Sequence, residues 1–274
     1  MSLVNHTQPI QLHYTCAGAG PDVLLIHGWA SSGKMWQVMT DALQDRARFW
    51  AIDLAGFGAS PSLPANPMLD INTHAALVMD FCDQHGIQPK AIVGHSMGGM
   101  LALKLALLRP ELAEALVLLA PVVTGRFTLE LNRLVSTDVG SFALARSKPF
   151  WWLAQSELLA PLLSVPAYVG VEAAERIRQD FIRATWQAAT GALASIAREN
   201  LEPDLRRIQQ PTLVLIGAED TTVPPQEGRL AAHRLQNARL LELPGVNHQP
   251  LDEQPDTVIA ALGAFLAETG AALP

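Results

Sequence analysis

Lys90-Ala91-Ile92-Val93-Gly94-His95-Ser96-Met97-Gly98-Gly99 decides the fold of this chain, because an apolar run of buried-strand character meets a serine set between glycines, and helix-like sequence follows at once. The pattern is G-x-S-x-G, which marks a strand-to-helix turn sharp enough to hold its central residue in a strained conformation with the side chain raised above the sheet. Only glycine-sized neighbours fit beside such a turn. Ser96 is therefore a candidate nucleophile. A serine hydroxyl attacks poorly until a base takes its proton, and the base in turn needs a carboxylate to orient it and balance its charge.

Working outward, strand-like runs cover 10–16, 23–26, 48–54, 91–93, 115–120, 212–216 and 240–243. Helix-like stretches alternate with them at 35–43, 73–85, 97–108, 226–235 and 255–267. That alternation specifies an α/β fold with a mostly parallel sheet flanked by helices on both faces. The rhythm breaks between 122 and 203, where no strand-like run appears and aromatics accumulate: Phe127, Phe142, Phe150, Trp151, Trp152, Tyr168, Phe181 and Trp186. This stretch is read as a helical insertion covering one edge of the sheet.

In an open α/β sheet the ligand crevice lies beyond the carboxyl ends of the strands, so the partners of Ser96 are sought just after strand-like runs. Asp220 follows the run 213–217 and precedes Pro224, which opens a helix. Glu219 is its neighbour and competitor, and the spacing to Pro224 favours Asp220. His248 follows the run 240–243 in the loop Pro244-Gly245-Val246-Asn247-His248. Acyl transfer also builds an oxyanion, which needs preorganised backbone donors. Met97, the residue after the nucleophile, supplies one N–H, and Trp29, just past the strand 23–26, supplies the other. His27 is expected to brace that loop by hydrogen bonds and to take no part in proton transfer.

Composition bounds the rest. At 274 residues and 49% hydrophobic, the chain builds one large domain or two small ones with a sizeable core. A net charge of −7, without clustered Lys and Arg, argues against nucleic acid as a partner. Cys16 and Cys82, the only cysteines, lack metal-ligand spacing and read as reduced thiols of a cytoplasmic protein. The first ten residues show no secretory pattern, and the most apolar stretches, 97–108 and 112–123, are short and carry Lys104 and Glu114, so no membrane association is expected.

Four motifs, taken in order, resemble the α/β-hydrolase superfamily across nearly the whole chain. They are His27-Gly28-Trp29, the turn Asp53-Leu54-Ala55-Gly56-Phe57-Gly58-Ala59-Ser60, the Ser96 turn itself, and Gly245-Val246-Asn247-His248 followed by Glu253 and Pro255. The chain order Ser96, Asp220, His248 is also the order of that superfamily. The resemblance implies a sheet of about eight strands with a helical cap after the sixth, giving a core of 1–121 and 204–274 and a cap of 122–203. It further implies a serine carboxylesterase acting on a small, largely apolar ester, with no metal and no organic cofactor. Relatives with aspartate in place of Ser96 open epoxides or displace halide, a route that needs a carboxylate nucleophile. Within the superfamily the His-Gly-Trp motif is similar to that of carboxylesterases, including those cleaving methyl esters of carrier-protein-bound acids. An acidic carrier protein would want a basic cap, and the insertion's nearly balanced charge gives it little.

Other members using the same three residues set out the alternatives: carbon–carbon bond hydrolases, thioesterases, and cofactor-free haloperoxidases or perhydrolases. The first group usually carries glycines after His-Gly and an aromatic after the histidine, where this chain has Trp29 and Gln249; the last usually carries a proline after the residue matching Trp29, where it has Ala30. A non-catalytic ligand receptor on the same fold is the reading from another class. His95, Trp151, Trp152 and Trp186 are the candidates for the substrate pocket.

Overall fold

The computed structural model describes residues 10–63, 69–126 and 146–272. Its centre is a seven-stranded sheet of β1 (Tyr14–Gly18), β2 (Asp22–Ile26), β3 (Arg48–Ile52), β4 (Ala91–His95), β5 (Ala115–Leu119), β6 (Thr212–Gly217) and β7 (Ala238–Leu243), in the spatial order β1-β3-β2-β4-β5-β6-β7. Every neighbouring pair is parallel except β1 with β3. The expected eighth strand is not found among the described residues. Only one strand forms ahead of β2, and it begins at Tyr14 rather than residue 10, because His13 is drawn into a different set of bonds. Its backbone N–H donates to Ser60 Oγ at 2.8 Å and its ring Nδ1 lies 2.9 Å from Asp53 Oδ2.

Strand residues alternate between two cores, as a period of two requires. Leu24 and Ile26 of β2 pack on one face with α2 (Ile71–His85) and α3 (Met97–Leu108), while Val23 and Leu25 pack on the other with α1 (Gln37–Leu43) and the carboxyl-terminal helix (Pro255–Glu268). The central strands β4, β5 and β6 are buried along their whole length, which is why they read as unbroken apolar runs. Helix α2 has a polar start and a glycine stop: Asp70 Oδ1 accepts from Thr73 N at 2.7 Å, and Gly86 closes it at φ 63°.

Between β5 and β6 the described residues are helical: α4 (Lys148–Ala154), α5 (Ala160–Ser164), α6 (Val171–Arg183) and α7 (Trp186–Ile196). The expectation of helix around Phe127 and Phe142 lies outside the described residues. The root of this segment is pinned to the core by Glu227 of α8 (Pro225–Arg234), a buried carboxylate that accepts from Val123 N at 2.8 Å and Thr124 N at 2.6 Å. Two further helices close the fold, α9 (Pro250–Glu253) and α10 (Pro255–Glu268).

Candidate active site

Ser96 sits between β4 and α3 with φ 54° and ψ −113°, a strained conformation for a residue with a side chain. The flanking glycines explain how the chain tolerates it. A Cβ on Gly98 would stand 2.2 Å from the Ile26 carbonyl oxygen, and one on Gly94 would stand 2.2 Å from that of Gly98. The turn is held by Ser96 N donating to Leu119 O at 2.9 Å, so the serine is tied to the end of the neighbouring strand.

The other two predicted partners converge on it. His248 Nε2 lies 3.1 Å from Ser96 Oγ, and His248 Nδ1 lies 2.7 Å from Asp220 Oδ2, with all three residues buried. The 2.7 Å contact gives His248 Nδ1 the proton and leaves Nε2 as the acceptor facing the serine hydroxyl. Asp220 spends its second oxygen on the backbone, with Oδ1 accepting from Thr222 N at 2.8 Å and Val223 N at 2.9 Å, which fixes the carboxylate's orientation. Glu219, its competitor, is exposed. Bonds from Ala218 N to Leu243 O and from Glu219 N to Val246 O, both 3.0 Å, bring the two loops side by side.

Supporting residues surround this trio. Glu253 holds the histidine loop on both sides, its carboxylate accepting from Asn247 N at 2.8 Å and Gln249 N at 2.9 Å. Asp53 does the same below the 27–33 loop, accepting from Gly33 N at 2.6 Å and Ala59 N at 2.8 Å. His27 accepts from Leu54 N at 2.9 Å through Nε2, and its Nδ1 donates to the Gly28 carbonyl at 2.7 Å. It is a brace, and its full burial depresses its pKa, keeping it neutral.

Ser96, His248, Trp29 and Met97 all border one cavity of about 340 Å³. Met97 is the first residue of α3, where backbone N–H groups have no acceptor within the helix and the helix dipole favours negative charge. His95 also borders the cavity, with Nε2 2.8 Å from the carbonyl oxygen of His248. Burial, followed by the charge of His248, pushes its pKa down to about 3, so it is neutral and its Nε2–H is the donor.

The three tryptophans proposed for the pocket do not border it. Trp151 turns inward to pack, its ring 6.1 Å from Trp29 and 5.0 Å from Phe181, and its Nε1 donates to Ala184 O at 3.1 Å. Trp152, one residue on, faces away from that contact and is 78% exposed. Trp186 opens α7 and donates to Ser147 Oγ at 3.1 Å. The cavity roof is aliphatic instead, made by Leu162, Leu163, Ile177, Leu193 and Ile196 with Phe181. Arg176 also borders it, a cation paired in two-pronged fashion with Asp252 at 2.9 and 2.7 Å. Helical spacing alone does not say which apolar side chain faces a partner helix and which a cavity.

The chain resembles proteins of known kind over most of its length. A pimeloyl-[acyl-carrier protein] methyl ester esterase of Chromobacterium violaceum is 30% identical over 265 residues, 91% of this chain and 95% of that one. A putative non-heme chloroperoxidase of Synechocystis is 30% identical over 256 residues, 87% and 88% of the two chains. Among solved structures, a thermophilic esterase from Thermogutta terrifontis superposes with a TM-score of 0.78 at 25% identity, covering 95% of this chain and 94% of that one. Residues 21–255 match the family model described as the alpha/beta hydrolase fold, which spans strands β2 to β7, the Ser96 turn and the His248 loop together, and the chain belongs to that family.

Proposed function

We propose that this chain is a serine hydrolase that cleaves a carboxylic ester of a small, largely apolar substrate, with Ser96 as nucleophile, His248 as general base and acid, and Asp220 as its orienting carboxylate. The observation that carries the reading is the unbroken relay from Ser96 Oγ through His248 to Asp220, at 3.1 and 2.7 Å, opening onto an apolar cavity. His248 Nε2 takes the hydroxyl proton as Ser96 Oγ bonds to the ester carbonyl carbon, and the carbonyl oxygen gains the negative charge. The N–H groups of Trp29 and Met97 receive that charge. Collapse breaks the bond to the alkoxide, which leaves as the alcohol with the proton from His248. Water then repeats the sequence on the acyl-enzyme, releasing the acid and restoring the serine.

The same reading divides the chain into a core of 1–121 and 204–274 and a helical cap of 122–203, supported by the position of α4 to α7 between β5 and β6 and by the share of the cavity wall that α5 to α7 supply. A cytoplasmic location is supported by two free thiols, Cys16 and Cys82. No helix of the described residues is long and apolar enough to cross a membrane. A carrier-protein-bound acyl methyl ester, the kind named for the Chromobacterium relative, is the finer form of the proposal.

Hydrolysis of p-nitrophenyl acetate and butyrate by the wild type and by Ser96→Ala tests it. Loss of about 10⁴-fold or more in kcat is expected for the variant, in line with removal of a serine nucleophile. Wild-type rates no higher than those of Ser96→Ala would overturn the enzyme reading in favour of a ligand receptor.

A further inference from the structure

The loop that carries Trp29 is not held by the core alone. Ala30, within it, has φ 50°, a left-handed conformation that an alanine keeps only when its surroundings impose it. Below, Asp53 fixes the loop's far end through Gly33 N. Beside it, the His27 ring holds the Gly28 carbonyl, and above, further anchors come from the helices between β5 and β6. The Trp29 indole donates from Nε1 to the Ala189 carbonyl of α7 at 2.8 Å, and its ring packs edge-on against Trp151 of α4 and Phe181 of α6, with centroids 6.1 and 6.2 Å away. Three residues on, the Ser32 hydroxyl lies 2.9 Å from each carboxylate oxygen of Asp180, also on α6 and 1% exposed. One turn earlier on the same helix, Arg176 grips Asp252 of α9, just past His248. Helix α6 therefore clasps both the loop bearing one oxyanion donor and the segment following the base.

We infer that the Trp29 indole and Asp180 are positioning residues that hold the Trp29 backbone N–H in place over Ser96, so that oxyanion stabilisation is complete only when α6 and α7 are seated. This rests on the acyl-transfer reading above. The consequence is a coupling of substrate admission to chemistry: lifting these helices opens the cavity and at the same time releases the donor loop. A donor that drifts by a fraction of an ångström keeps its bond to a ground-state carbonyl poorly distinguished from water, and loses most where charge develops.

The test compares Asp180→Ala, Asp180→Asn, the double variant Ser32→Ala with Asp180→Ala, and Trp29→Phe, using p-nitrophenyl butyrate and a trifluoromethyl ketone. That ketone adds the Ser96 oxygen to form a hemiketal oxyanion. Asp180→Ala, the double variant and Trp29→Phe are expected to lower kcat about tenfold with KM within twofold, and to weaken the ketone by the same factor, a fraction of the 10²–10³ attached to outright loss of a donor. Asp180→Asn keeps an oxygen for the Ser32 hydroxyl and is expected to stay within twofold of wild type. The double variant leaves no buried partner stranded, so it stands in if Asp180→Ala fails to fold. Unchanged kcat and ketone affinity in the folded double variant and Trp29→Phe, or a rise in KM alone, would overturn the inference. A wild type without turnover would instead sink the acyl-transfer reading, and this inference with it.

Discussion

The floor of the cavity and its roof are built from different material. Ser96, Asp220 and His248 stand on loops at the carboxyl ends of β4, β6 and β7, each locked to a neighbouring loop or strand by backbone hydrogen bonds. The roof is formed by helices α5 to α7, whose side chains reach the cavity from helical faces also packed against each other, and whose rim leaves Leu162 and Leu163 substantially exposed. A floor made by backbone geometry admits few sequences. A roof made by side-chain packing admits many, and this is where relatives sharing a floor are free to differ in substrate.

The most severe way to break the contrast is to leave the floor's geometry intact and remove only its electrostatic logic. Asp220→Asn presents an amide of the same shape to His248 Nδ1, while Thr222 N and Val223 N still need an acceptor on that side chain. The amide NH₂ is then turned toward the imidazole and favours the wrong tautomer. A fall of about 10⁴-fold in kcat is expected, with the fold retained. Circular dichroism together with burst kinetics checks it, and a variant within tenfold of wild type would detach Asp220 from the chemistry.

A smaller effect, on stability, separates floor from roof through two glycines. Gly98→Ala places a methyl group 2.2 Å from the Ile26 carbonyl oxygen, backbone against backbone with no flexible atom to yield. A loss of about 3 kcal/mol is expected, read as a drop in Tm of roughly 6–12 °C for a chain of this size. Gly170, which caps the start of α6, has nothing within 4 Å of an added Cβ and no positive φ. Gly170→Ala should change stability by no more than ~0.5 kcal/mol, a shift in Tm of about 1–2 °C. Equal shifts in the two variants would mean that the Ser96 turn is no tighter than the roof.

What the sequence disclosed follows the same division. Ser96, Asp220 and His248 were legible because a reactive side chain after an apolar run, with glycine or proline fixing the turn, leaves a local trace. The brace role of His27 was legible for the same reason. The strand count and the start of β1 were not, since His13 belongs to the alternating run by pattern yet is taken by Asp53 and Ser60, 40 and 47 residues away. The roof failed for a related reason. Trp151, Trp152 and Trp186 satisfy any helical pattern, and their fates, packed on Trp29, exposed, and bonded to Ser147, are set by tertiary neighbours. Asp180 gave no signal at all, because a carboxylate within a helix rich in charges reads as a solvated face.

Asp180 also gives the contrast a pH axis. Burial, opposed by the Ser32 hydroxyl and the charge of Arg176, raises its pKa from 3.8 to about 6, with Asp53 adding to the rise and Lys34 opposing it. An acid whose folded pKa lies above its unfolded value binds more protons in the native state between those two values. Stability from this group is therefore present below about pH 4 and is lost as pH rises to 6, leaving a constant penalty above. Asp180→Asn removes the titration while keeping an oxygen for Ser32, so it should match wild type near pH 4.5 and become more stable than it by about 1–2 kcal/mol at pH 7.5. The difference between the two unfolding midpoints, followed across that range, cancels every other titrating group. A gap that is flat with pH would show that the carboxylate is as well solvated in the fold as outside it.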